Sequence, residues 1–239
     1  MMRFQLDDLH AVALNAFDEM EDLAVKAESD TTAYNERQFV FQLGSLLTRG
    51  AITQGAHLWT GFEYRYPDSA GTQKRTKCDL AVWERNSQGE EAMGWLEVKS
   101  TGLDDYGNWD NGFGSLRWRE DFDKLKGIEE QIWSANHTRA WVWLYQFENY
   151  RDKVDAAYGS NNKWSPPKQP SDYLSMFGRA HEGNVNLPRV LAEITSDSSS
   201  ALMSLRPRVQ THDSKRVLSA LILTAIVAAA SHPASENGA

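Results

Sequence analysis

Two short segments, Cys78-Asp79-Leu80-Ala81-Val82-Trp83 and Trp95-Leu96-Glu97-Val98-Lys99, decide how this chain folds. Both are rich in residues that favour extended backbone, and Asn86-Ser87-Gln88-Gly89-Glu90 between them is a turn signal. Together they predict the two strands of a hairpin. A turn centred on Gln88 sets Asp79 opposite Glu97, Leu80 opposite Leu96, Cys78 opposite Val98 and Trp83 opposite Met93. The apolar partners then share one face. Asp79, Glu97 and, two residues further on, Lys99 share the other.

Two opposed carboxylates about 5 Å apart repel each other, and a divalent cation resolves the repulsion. Mg²⁺ takes oxygen ligands and is commonly held by one or two carboxylates plus phosphate oxygens of a substrate. A lysine beside such an ion can position a water molecule and offset charge building on phosphorus. The constellation therefore suits metal-assisted hydrolysis of a phosphodiester. A third acid, Glu36, precedes Phe39 and Val40 by three and four residues, so it projects along the apolar stripe of its helix. The plain alternatives are an exposed strand face carrying alternating Glu and Lys, and a first-turn acid complementing a helix dipole. Both acids, the lysine and Glu36 falling together favours the chemical reading.

Outward from the hairpin, apolar residues at helical spacing predict helices over 5–28 and 33–49, the second stopping before Gly50. Phe62, Tyr64 and Tyr66 alternate with Glu63 and Arg65 as a strand. A helix is expected over about 120–135. Ala140-Trp141-Val142-Trp143-Leu144-Tyr145 is apolar throughout, as a central strand would be. Residues 151–185 are polar and carry Pro166, Pro167 and Pro170. Then come a short helix over 187–194, a linker over Ser196–Ser200, and a last helix over about 214–230. The apolar run Val217–Ala230 has 14 residues, about 21 Å as a helix, which is short of a hydrocarbon core of roughly 30 Å. It therefore reads as a buried helix. The fold class expected is an α/β sandwich around a small mixed sheet: a core over 1–150, and an extension over 151–239 whose C-terminal helix packs on it.

Composition narrows the chemistry further. There are 25 basic and 33 acidic residues, a formal net charge of −8, and the excess lies in the first 120 residues. That argues against a large nonspecific nucleic-acid footprint but leaves room for a basic cleft. The single cysteine, Cys78, excludes an intramolecular disulfide framework and a multi-cysteine metal site. With Asp7, Asp8, Asp18 and Glu19 in the first twenty positions, no secretory signal is expected there, and the compartment expected is the cytoplasm. There is no Gly-x-Ser-x-Gly elbow and no Gly-x-x-x-x-Gly-Lys phosphate loop.

A helix acid (Glu36), a strand acid (Asp79) and then Glu97-Val98-Lys99 on the next strand resemble the PD-(D/E)xK nuclease superfamily. The resemblance covers residues 33–145 and rests on order and spacing. It implies a restriction-endonuclease-like three-layer core. It also implies a Mg²⁺ ion, with Mn²⁺ able to substitute, held by Asp79, Glu97 and the backbone carbonyl of Val98. Lys99 would handle the attacking water, and Glu36 would be an outer or second-metal ligand. The departures are Cys78 where the family name has proline, and Ala135 four residues after Gln131 where one branch has tyrosine.

DNA is the expected partner. Lys74, Arg75 and Lys77 lead into Asp79, and the Gly- and aromatic-rich stretch over 101–119 holds Trp109, Arg117 and Arg119, residue types that meet phosphates and stack on bases. Lys124 lies on the helix that follows. Solvated strand, loop and helix surfaces are the plain alternatives for these seven. The rival to a nuclease is a catalytically silent nuclease-fold subunit that docks a protein partner or a second copy through the helix Val217–Ala230. RNA as substrate stays open.

Overall fold

The computed structural model describes residues 5–26, 36–53, 58–65, 77–86, 89–101, 118–128, 137–150, 186–207 and 216–228. The elements are α1 (Leu6–Lys26), α2 (Glu36–Thr53), β1 (Leu58–Arg65), β2 (Lys77–Asn86), β3 (Gly89–Thr101), α3 (Trp118–Lys126), β4 (Thr138–Tyr150), α4 (Asn186–Asp197), β5 (Ser200–Pro207) and β6 (Arg216–Ile226). The strands form one mixed sheet in the order β1-β2-β3-β4-β6-β5. All neighbours are antiparallel except β3 and β4, which run parallel. A parallel pair needs a crossover, and α3 lies within the connection.

The inner strands of the sheet are buried on both sides, and the two faces differ in chemistry. Leu80, Val82, Leu96, Val98, Ala140, Val142, Leu144, Ala220 and Ile222 form an aliphatic face. Against it pack α1 through Leu9, Ala13, Ala16 and Phe17 and α2 through Phe39, Val40, Leu43 and Leu47, each set at the spacing that makes one helical stripe. Trp83, Trp95, Trp141, Trp143 and Tyr145 form an aromatic face covered by α3 and α4 through Phe122, Leu125, Leu191 and Ile194. Edge-to-face contacts tie this layer together: Trp83 to Trp95 at 5.6 Å and Phe122 to Trp141 at 5.9 Å between ring centroids. Such pairs add about 0.5–1.5 kcal/mol beyond area burial.

The hairpin register agrees with the sequence at Leu80, where the paired ladder ends one residue short of Asp79 and Glu97, and differs near the turn. Leu80 faces Leu96, as expected, but Trp83 faces Ala92 and not Met93. Pairing continues to Asn86 and Gly89, so only two residues lie between the paired strands where a five-residue turn over 86–90 is expected. A β-bulge between Val82 and Trp83 leaves Met93 without a cross-strand partner and restores the expected register beyond it. Gly89, at φ 132°, supplies backbone that only glycine adopts readily.

The C-terminal region departs most from expectation. The helix expected over about 214–230 is replaced, over the described residues, by a strand: Arg216–Ile226 is β6, paired along its length with β4 and, over Ser219–Ile226, with β5. A segment buried on both faces carries no period, so helix and strand look alike in the sequence. Its Ile222, Thr224 and Ile226 favour extended backbone. No docking helix exists there, and the segment forms an interior strand of the sheet, between β4 and the edge strand β5. Ser196–Ser200 is likewise the last turn of α4 running into β5. The helix over 187–194 is present as α4, and α2 continues through Gly50 to Thr53. The helix expected over about 120–135 is α3, which starts at Trp118 and ends at Lys126, before Gly127; residues 102–117, 129–136 and 151–185 lie outside the described residues.

α1 is anchored by a polar plug. His10, buried at the junction with β5 and β6, meets the Ser204 hydroxyl through Nε2 at 2.8 Å and the Thr224 hydroxyl through Nδ1 at 3.0 Å. Burial and the nearby Arg206 push its pKa down to about 4 against a small opposing pull from Asp7.

A carboxylate and lysine cluster at a break in the sheet

Between Leu80 and Cys78 strand β2 turns over. Leu80 belongs to the aliphatic face and Cys78 to the aromatic face, although residues two apart in a regular strand share a face. Strand β1 does the same opposite: Phe62 stacks on Phe41 of α2, while Tyr64 meets Trp83 and Trp95 on the other side. Glu63 between them has φ 48°, a left-handed conformation uncommon for a non-glycine residue. The expected grouping of Cys78 with Val98 on one face fails for this reason.

Asp79 sits at the turnover. Its carboxylate reaches β3 and accepts the Val98 N–H at 2.7 Å. One step along, the Ser100 N–H is accepted by Glu36, the first residue of α2. Where β2 leaves β3, two carboxylates thus take bonds that a neighbouring strand would otherwise make. Lys99 stands between them, with its Nζ 3.7 Å from Glu36 and 3.5 Å from Asp121 of α3. Burial lowers its pKa, but the carboxylates of Asp121, Glu36, Asp79 and Glu97 outweigh that and hold it above the ordinary lysine value. Glu36 is raised, by burial first and by Asp79, with Lys99 opposing.

Glu97 lies on the α3 side of β3 and is only 1% exposed. Lys124 of α3 approaches it at 3.6 Å and bonds Asp121 at 2.7 Å. Burial lowers the Lys124 ammonium, while Asp121, Glu97 and Asp79 raise it above its usual value. Asp121 is the hub. It is 1% exposed, meets both lysines and accepts a bond from the Trp141 indole at 3.3 Å. The sequence reading missed it, although a signal was present: Asp121 lies three residues after Trp118 and four before Leu125, on the stripe that α3 buries.

Asp79, Glu97, Lys99 and Glu36 are therefore brought together, and Lys124 joins them. Lys77 stands two residues before Asp79 but is exposed and pairs with Glu63 at 3.1 Å. Arg119 is engaged elsewhere, with Glu193 of α4 at 2.7 Å and over the Trp118 ring at 4.8 Å. Lys74, Arg75, Trp109 and Arg117 lie outside the described residues. Cys78 is buried, and its thiol is pushed well up by burial and by Glu97 and Asp79, so it stays protonated.

Four carboxylates against two ammonium groups leave two formal negative charges in excess. That balance and the all-oxygen donor set suit a divalent cation. Among the described residues no group of three or more His, Cys, Asp or Glu side chains is placed to hold a metal ion. A Mg²⁺ site built from two carboxylates, a carbonyl and phosphate or water oxygens does not require such a group. Comparison with protein-family models, curated proteins and solved structures finds no match for this chain. Among the described residues no helix is long and apolar enough to cross a membrane.

Proposed function

We propose that this chain is a metal-dependent nuclease that hydrolyses phosphodiester bonds of DNA, on a restriction-endonuclease-like version of the mixed α/β fold. The observation that carries the reading is the break at Asp79, which gathers Asp79, Glu97, Lys99 and Glu36 at one point of the sheet. The antiparallel β1-β2-β3 run followed by a parallel β4 supports the finer fold reading.

In this reading Asp79, Glu97 and the Val98 carbonyl hold Mg²⁺, for which Mn²⁺ substitutes. When bound, such an ion would act as a Lewis acid toward a phosphoryl oxygen and would make a nearby water more acidic. Lys99, held as an ammonium by its four acidic neighbours, orients the attacking water and offsets charge that grows on the phosphate. Glu36 fixes the outer side of Lys99. Lys77, with Lys74 and Arg75 before it in sequence, provides cationic approach to the backbone of an otherwise acidic protein.

Purified protein incubated with supercoiled, linear and single-stranded DNA, and with RNA, tests this directly. Cleavage should need Mg²⁺ or Mn²⁺, stop in EDTA and fall by at least about a hundredfold in Lys99→Ala, the scale of losing one preorganised electrostatic donor. Cleavage that survives Lys99→Ala removes the assignment. One observation favours a second reading, a silent subunit: each acid already has a counter-group, Asp79 a backbone N–H, Glu36 and Asp121 Lys99, and Glu97 Lys124. No cleavage of any of the four substrates would select it.

A further inference from the structure

Lys124 holds two acids unequally. Its bond to Asp121 is short, at 2.7 Å, and that partner is fixed by Lys99 and the Trp141 indole. Its approach to Glu97 is longer, at 3.6 Å. Its side chain is 31% exposed, so it has room to swing, whereas Glu97 is locked in the sheet face. Glu97 is also the carboxylate assigned to the cation.

We propose that Lys124 is the resident counter-ion of Glu97, which a divalent cation must displace, and that Asp121 retains the displaced ammonium beside the site, where it meets a phosphate group of the substrate. The cation and phosphate are those of the nuclease reading, on which the inference rests. Charge balance explains why the device is needed: without Lys124, Glu97 and Asp121 would be two buried carboxylates beside Asp79 with Lys99 as their remaining lysine, and a buried acid without a cation is costly. An ammonium and a divalent cation on one carboxylate repel strongly at these separations. Metal binding therefore frees the lysine at the moment phosphate is to be held.

Mn²⁺ binding to the whole chain without nucleic acid, read from the electron paramagnetic resonance signal of free Mn²⁺, tests the proposal apart from activity. Lys124→Gln should bind Mn²⁺ about tenfold more tightly than the native chain, with an unchanged circular dichroism spectrum. Lys124→Arg, which keeps the charge, should bind like the native chain. Lys126→Gln, which removes a charge from the same helix but not from Glu97, should differ by less than about twofold. At saturating Mn²⁺, Lys124→Gln should cleave DNA at least about tenfold more slowly. Equal or weaker Mn²⁺ binding in Lys124→Gln overturns the proposal, as does an equal gain in Lys126→Gln or the absence of binding in both native chain and Lys124→Gln. If the native chain binds Mn²⁺ and cuts nothing, the nuclease reading falls, and the Mn²⁺ comparison still decides the displacement.

Discussion

At Asp79 a strand-to-strand bond is replaced by a side-chain bond, and the exchange is measurable. Asp79→Ala leaves the Val98 N–H without its carboxylate partner and should destabilise the protein by about 1–3 kcal/mol in urea unfolding, the cost of a charged hydrogen bond lost in a partly buried place. Asp79→Asn keeps an oxygen acceptor and should lose less stability, yet as much cleavage as the alanine variant. His10 gives a pH dependence of defined sign. Its folded pKa, about 4, lies below its unfolded value of 6.5. The folded state resists protonation, so its contribution is intact above pH 6.5, drains away as pH falls to 4 and is gone below, a loss of about 3 kcal/mol. The difference between the native and His10→Gln stability curves, measured from pH 8 to 3.5, should show that slope. The residues of the site were legible unevenly in the sequence. Asp79, Glu97 and Lys99 could be read because hairpin spacing brings the far ends of β2 and β3 together, although the paired ladder itself stops at Leu80 and Leu96. Asp121 was passed over because an acid among the polar residues of a helix looks solvated unless its place on the buried stripe is checked.

Among the elements, β6 is the one whose neighbours decide its conformation. Leu221 meets the aromatic side and Ile222 the aliphatic side, and both are fully buried. Leu221→Asp and Ile222→Asp should therefore each prevent folding, seen as loss of soluble, cooperatively melting protein. A helix buried along one stripe would tolerate one of the two. The sequence could not separate these cases, because alternation vanishes when both faces are covered. For α1, α2 and α3 it could, because each buries a single stripe whose 3.6-residue repeat survives in the residue order. β5 escaped notice for another reason: Ser200–Pro207 is an edge strand with several half-buried positions, and neither a continuous nor an alternating apolar pattern marks it.

At the scale of the molecule, the strands added by residues 200–226 complete a sheet that the first 150 residues leave open at β4. Deleting residues 186–239 would strip β4 of a partner along its whole paired length and uncover α1, which lies over β5 and β6. Such a truncated chain should be insoluble or lack a cooperative thermal transition, because an open hydrophobic edge and an uncovered stripe remain. A mixed sheet between helices was legible from the order of periods along the chain. Its extent was not, since long-range pairing to β4 is specified by burial that only the assembled layers create.

The bulge at Met93 bears on how this chain can change length over evolutionary time. Seventeen residues separate Asp79 from Glu97, an odd number that strands paired up to Asn86 and Gly89 accommodate only with one residue to spare. Met93 is that spare link. Loss of Met93 would leave a hole on the aliphatic side but keep the two acids level. Loss of Ala81 or Leu96 would rotate an acid out of the cluster. Descendants of this chain can therefore drift in acid-to-acid spacing at one position and keep the same chemistry, so a fixed spacing is a poor guide to its kin, whereas opposition across the hairpin is a good one.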